Sequence, residues 1–234
     1  MNRRQLLRAT AVAGAVGAAG CLSGGADGGD ATDGDGTATT PTDDGQTLAT
    51  HPAGRSLSSQ PRLGPAPADA AAVLVAFEDP SCSRCRRFER RTVPTIRREL
   101  VEPGDAAFVF RGYPVVYEWG EPAARALEAT FAREEATGWE LIGHYFDRQP
   151  SFTTGNVLSK TESFLADTPV DGAAVVDDVR REANDDAVRT DLDAGDAAGY
   201  SVTPTVAMFE GGSFVAAVEG AQSYEVYANA LDVA

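Results

Sequence analysis

Apolar and polar positions change their spacing several times along this chain, and each change marks an element. Ala71 to Phe77 is an unbroken apolar run with β-branched residues; it reads as a buried strand ending in a turn at Asp79-Pro80. From about Cys82 to Val101 the spacing turns helical, with Cys85, Phe88, Val93, Ile96 and Leu100 close to one face. Pro94 inside that pattern predicts a kink. Ala106 to Arg111 is rich in Phe and Val and reads as a central strand, after which Tyr113-Pro-Val-Val-Tyr117 leaves the sheet. From Glu121 to about Ala198 helical faces dominate. Ala123, Leu127, Thr130, Phe131 and Ala132 form one, and Leu141, Ile142, Tyr145 and Phe146 another. Thr161 to Ala166 and Ala173 to Val188 add more, set apart by Pro150, Gly155 and Pro169. The end of the chain returns to strands: Ser201 to Phe209 entered through Pro204, a Gly211-Gly212 hairpin turn, and Phe214 to Val218. Tyr224 to Leu231 then reads as a short terminal helix.

Ahead of these elements the character differs. Asn2-Arg-Arg-Gln-Leu-Leu-Arg8 and the small apolar run after it resemble a twin-arginine export signal over residues 1–20. The run is too short and too rich in Gly and Ala for a membrane span, which needs about 20 apolar residues. Ala18-Ala-Gly-Cys21 resembles a lipobox, which makes Cys21 the expected lipidation site and lipid anchor. Residues 21–60 read as an acidic Gly/Asp/Thr-rich disordered tether and a lead-in. Asp27, Asp30, Asp33, Asp35, Asp43 and Asp44 are met by no basic residue before Gln46. From Thr47 prolines recur and the chain is expected to wrap the domain, whose folded part begins near Pro61. No internal repeat is visible.

Composition adjusts this picture in one respect. The 234 residues carry a formal net charge of −15, and Lys160 is the only lysine. Acidic, lysine-poor chains resemble the proteins of salt-loving archaea. Such a charge excludes nucleic acid as an expected partner, because phosphate binding requires a broad basic face. Against it, Arg84, Arg86, Arg87, Arg90, Arg91, Arg97 and Arg98 crowd the first helix.

The candidate chemistry is Cys82-Ser83-Arg84-Cys85, placed after a strand and at a helix start. Free N–H groups and the helix dipole there favour a Cys82 thiolate, and the charge of Arg84 is expected to lower its pKa further. A thiolate attacks disulfides, and a second thiol one turn on can resolve the mixed disulfide. Competing readings are a small structural disulfide, which stabilises little over so short a loop, and zinc, which needs four ligands. Cys21, His51 and His144 are not paired at ligand spacing, so no metal site is expected. With Cys21 assigned to a lipid, Cys82 and Cys85 remain as a pair outside the cytoplasm, where disulfides persist.

Phe77-Glu-Asp-Pro-Ser-Cys82-Ser-Arg-Cys85, the helical stretch over about 118–198 and Val202-Thr203-Pro204-Thr205 together resemble the DsbA-like branch of the thioredoxin-fold dithiol oxidoreductases over residues 61–234. The resemblance implies an α/β thioredoxin-like fold. A central mixed sheet is flanked by helices, with a helical insertion between the βαβ half and the C-terminal ββα half. It implies no cofactor other than a redox-active Cys82–Cys85 disulfide, with Cys82 attacking and Cys85 resolving. It implies a cis Pro204 facing the pair, with Thr203 and Thr205 beside it as substrate-binding positions. Ser83 and Arg84 occupy the dipeptide that tunes potential. Where the family often carries a buried acid six residues before the first cysteine, this chain has Ala76, leaving Glu78 and Asp79 as the candidate proton relay. The implied partners are the thiols and disulfides of exported proteins and a membrane redox partner, at the extracellular face of the membrane. Stabilising the Cys82 thiolate stabilises the reduced form, which leans the expected direction toward oxidase or isomerase. The rival expectation is a thioredoxin-like lipoprotein that delivers a metal such as copper, or serves structurally, without redox turnover.

Overall fold

The computed structural model describes residues 39–40 and 45–231; the export signal, Cys21 and most of the tether lie outside them. The described residues form a six-stranded sheet in the order β1-β6-β5-β3-β4-β2. β3 (Ala72–Glu78) is central, parallel to β4 (Ala106–Gly112) and antiparallel to β5 (Thr205–Glu210). β6 (Ser213–Glu219) extends the sheet antiparallel to β5. The two-residue strands β1 (Thr39–Thr40) and β2 (Arg62–Leu63) close the edges against β6 and β4.

All seven residues of β3 are buried, so its sequence cannot alternate apolar and polar: both faces are covered. Leu74 and Ala76 point to one face, where α1 (Ser83–Arg91), α2 (Val93–Ile96) and α8 (Tyr224–Ala230) contribute Phe88, Ile96 and Tyr227. Val73, Val75 and Phe77 point to the other, against Tyr113, Tyr200 and Ala194. Ala194 belongs to α7 (Asp185–Ala197), the last helix of the insertion. The other insertion helices are α3 (Gly120–Phe131), α4 (Glu135–Arg148), α5 (Val157–Leu165) and α6 (Gly172–Arg180). Their apolar faces pack partly on one another and partly over Cys82 and Cys85. The thioredoxin-like arrangement with a helical insertion is therefore the fold of the chain.

Several boundaries differ from expectation. The helix expected over 82–101 is three pieces: α1 stops at Arg91, Pro94 stands in the first turn of α2, and Arg97–Val101 winds as a π turn. Pro94 has no N–H to continue the ladder, so the break falls one turn ahead of it. Thr92 marks the break, its hydroxyl donating to the Gln222 carbonyl at 2.6 Å. The stretch Ala173 to Val188 is likewise two helices, interrupted at Glu182, whose φ of 56° is left-handed. β5 begins only at Thr205, directly after the cis Thr203–Pro204 bond. The hairpin turn is as expected: Gly211 and Gly212 both have positive φ, as a tight two-residue turn requires.

The folded body also begins earlier than Pro61. Short 3-10 turns at Pro52–Gly54 and Leu57–Ser59 bury Ala53 and Leu57 in the second core. His51, to which the sequence assigned nothing, is buried and stacks on Phe214 with centroids 4.4 Å apart. The lead-in is tied to the hairpin by Leu48 N–H donating to Gly212 and Phe214 N–H donating to Gln46. Thr39–Thr40, inside the stretch expected to be a free tether, pair with Val218 and Ala217.

Candidate active site at the start of the first helix

Cys82 is the N-cap of α1, with extended backbone (φ −79°, ψ 123°), and Cys85 lies one turn inside. Both are free thiols and both are buried. The Cys82 thiol donates to the Thr203 carbonyl at 3.3 Å. Its pKa is lowered to about 5. The Cys85 thiol is the largest cause; the Thr203 hydroxyl and the backbone N–H groups of Cys85 and Arg84 add to it against the opposing effect of burial. Cys85 behaves oppositely: burial pushes its thiol well up, and the charges of Glu78 and Cys82 push further. The Asp79 N–H, donating to its sulfur at 3.4 Å, offsets only part of this. The surroundings thus favour a thiolate at Cys82 and a protonated thiol at Cys85.

Beneath the pair stands Glu78, the last residue of β3, which is fully buried. It lies two residues after Ala76 and so on the same face of the strand, close enough for its charge to act on Cys85. Neither Glu78 carboxyl oxygen has a hydrogen-bond partner within 3.5 Å among the described residues. Burial holds its pKa well above the ordinary carboxylate range, and the charges of Glu89 and Cys82 add to this. Glu89 of α1, unnoticed in the sequence, is the second acid: burial raises it to about 7, while Glu78 and the charge of Arg97 pull it back. Its position four residues after Cys85 on the same helix face was the signal available beforehand.

Asp79, the other candidate acid, is tied into the cysteine turn. Its carboxylate accepts the Ser81 N–H and hydroxyl at 2.7 and 2.6 Å and the N–H groups of Val115 and Val116 at 2.9 and 2.7 Å. It therefore staples the loop after β4 to the cysteine turn. α3 starts so close that a Cβ on Gly120 would fall 2.5 Å from the Asp79 oxygen. The stapled loop holds Val115, Val116 and Tyr117 exposed, the last at 64%. Gln149, a further residue the sequence did not single out, donates to the carbonyls of Pro80 and Cys82 at 2.7 and 2.9 Å.

Other expectations need correction. Arg84 acts on Cys82 through its backbone N–H; its guanidinium charge is not among the causes of the lowered pKa. Ser83 is exposed and makes no contact that tunes the thiol. Thr205 cannot meet a substrate with its side chain, because it is fully buried and its hydroxyl donates to the Val202 carbonyl at 2.6 Å. Thr203 and cis Pro204 do stand beside Cys82. His144 stacks on Phe164 and packs near Phe152, away from the dithiol. Among the described residues no cluster of three or more His, Cys, Asp or Glu could hold a metal ion.

A thiolate-prone N-cap cysteine, a buried partner thiol and a cis-proline loop on this sheet define the class of thioredoxin-fold dithiol proteins. A family model described as thioredoxin matches residues 62–232, and the chain belongs to that family. It is similar to disulfide bond formation protein D of Bacillus subtilis, strain 168, with 25% identity over 153 residues, 64% of this chain and 68% of the relative. Among solved structures, oxidised BdbD from Bacillus subtilis superposes with a TM-score of 0.63 at 22% identity, over 76% of this chain and 93% of that one. A variant of alpha-DsbA1 from Wolbachia pipientis gives 0.65 at 18% identity, over 80% and 94%. Pseudomonas aeruginosa DsbA2 gives 0.59 at 21%, over 74% and 92%. The fold is that of the DsbA proteins.

Proposed function

We propose that this chain, a protein thiol–disulfide oxidoreductase by family and fold, exchanges disulfides with exported proteins through Cys82 and Cys85. The reading rests above all on the asymmetry of the dithiol, one thiol lowered to about 5 and its neighbour raised. In the oxidised protein a substrate thiolate attacks the Cys82 sulfur of the Cys82–Cys85 disulfide, forming a mixed disulfide and releasing Cys85 as a thiolate. That thiolate takes up a proton, for which Glu78 is placed. A second substrate thiolate then attacks the substrate sulfur and expels Cys82. The substrate loses two electrons and two protons and gains a disulfide; the protein gains the two electrons. Cys82 leaves readily because it is stable as a thiolate, which favours disulfide donation or isomerisation over reduction.

The resemblance of residues 1–21 to a twin-arginine signal and lipobox supports, as part of this reading, a domain outside the cytoplasm, anchored through a lipid on Cys21 and reoxidised by a membrane redox partner. No helix among the described residues is long and apolar enough to cross a membrane. The test is the reduction potential against glutathione, in the wild type and in Cys82→Ser. A disulfide donor lies near about −120 mV and an isomerase near about −180 mV. A value near about −270 mV makes the protein a reductase, and exchange that persists in Cys82→Ser removes the dithiol mechanism.

A further inference from the structure

The outer face of α1 carries Arg84, Arg86, Arg87, Arg90 and Arg91, while Cys85 and Phe88 point inward. Elsewhere among the described residues, Arg98, Arg111, Arg125, Arg133, Arg180, Arg181 and Arg189 are ion-paired. Arg98 pairs with Glu99, Arg111 with Asp191, Arg125 with Glu121 and Asp185, and Arg133 and Arg181 with Asp178. On α1 the ion pairing is one loose contact, Arg90 to Asp147 at 3.6 Å, with both side chains more than half exposed. Arg86 donates to the Phe146 carbonyl at 2.8 Å. Arg84, Arg87 and Arg91 make no ion pair among the described residues.

The arrangement is held at an energetic cost. Arg86 with Arg90 and Arg87 with Arg91 are like charges four residues apart, and Arg84 sits at the positive end of the helix dipole. A surface cavity of about 670 Å³ is lined by Ser83, Arg86, Arg87, Arg90 and Arg91 alone, with no acid and no apolar side chain. Arg87 and Arg91 also line a second groove of about 440 Å³. Its one carboxylate, Glu225, is engaged by the Ser223 hydroxyl. Ser83, the residue after the attacking cysteine, lines the first groove, which therefore begins one residue along the chain from the site of the mixed disulfide.

We infer that this groove binds substrate polypeptide through Asp and Glu side chains near the reacting cysteine, making α1 a determinant of substrate choice. The inference rests on the oxidoreductase reading of Cys82 and names the substrate class. A polypeptide is favoured over a free polyanion because the covalent link at Cys82 holds it here, while the net charge of −15 repels extended anions.

The test uses the oxidised full chain and two dithiol peptides of one sequence, one with carboxylates flanking its cysteines and one with the corresponding amides. Each peptide is oxidised to its disulfide as Cys82–Cys85 is reduced. At about 0.1 M salt the acidic peptide should show a kcat/KM roughly fivefold higher, the ratio falling toward one at about 1 M, where the screening length is about 3 Å. In R87Q/R91Q the ratio should fall to about one at low salt; R87K/R91K should keep it. Equal rates for both peptides with the wild type, or a preference that survives in R87Q/R91Q, overturns the inference while leaving oxidoreductase activity intact. If neither peptide is oxidised by the wild type, the oxidoreductase reading fails, and this inference with it.

Discussion

The two cysteines illustrate how three residues of separation produce opposite chemistry. Cys82 caps α1, where the free N–H groups of Arg84 and Cys85 point back at its sulfur; the Cys85 sulfur lies one turn in, buried with Phe110 and the insertion. The lowered Cys82 pKa makes the relative stability of the reduced protein depend on pH. Its folded value of about 5 lies below the ordinary 9.0, so the stabilisation is fully present above about 9 and is lost as pH falls through 5. The melting temperature of the reduced form should therefore exceed that of the oxidised form at neutral pH. The gap should close near pH 4, and a constant gap from pH 8 to 4 would contradict the thiolate assignment. Glu78 offers a second test. Its fully buried carboxyl, beside the second acid Glu89, costs stability, so Glu78→Met should raise unfolding free energy by about 1–3 kcal/mol in urea titrations. The same change should slow exchange at neutral pH by on the order of 10²-fold, since the departing Cys85 thiolate loses its proton donor. Greater stability with undiminished turnover would show that Glu78 moves no proton.

At the scale of elements, the insertion does more than cover the dithiol. Gln149, at the end of α4, holds two carbonyls of the cysteine turn, and Asp79 ties that turn to the loop after β4. The cysteines are thus gripped from two sides by segments far along the chain. Gln149→Ala leaves the Pro80 and Cys82 carbonyls without these donors and should cost about 1–3 kcal/mol of stability, measured by chemical denaturation. Amide exchange should become faster at Ser81 to Arg84 while α6 stays protected. Uniform loss of protection would mean that Gln149 supports the fold at large.

For the whole molecule, the attachment of the insertion to the sheet rests on a buried charge. Arg111 at the end of β4 and Asp191 on α7 are an ion pair with no exposure. Asp191 also accepts from Gln60 and the Gly112 N–H, and Arg111 donates to the Arg55 carbonyl. One ion pair thereby joins lead-in, sheet and insertion. Asp191→Ala strands the guanidinium and should cost about 3–5 kcal/mol, read as a lowered urea midpoint. Replacing both partners, as in Arg111→Met with Asp191→Leu, should recover much of that loss. If the double replacement is no better than the single one, packing at α7 and not the stranded charge sets the cost.

What the sequence determined by itself is short in range. Spacing placed β3, the first helix turn and the Gly-Gly hairpin, because periods of two and 3.6 and the steric needs of proline and glycine act over a few neighbours. The dithiol was legible for the same reason, since its helix start and both sulfurs fall within one short stretch. The cis-proline segment could be named, but that it meets Cys82, 121 residues from Thr203, depends on β3 and β5 pairing in one register. Packing likewise decided that Glu78 is buried near Cys85, that Thr205 turns inward and that the Asp79 carboxylate is taken up by the loop after β4. The early start of the folded body escaped notice because His51, Ala53 and Leu57 show no periodic pattern and are buried only by the sheet they reach. The pairing of Gln60 and Arg111 with Asp191 spans 131 and 80 residues, and no local pattern marks a polar residue as buried until packing excludes the water around it.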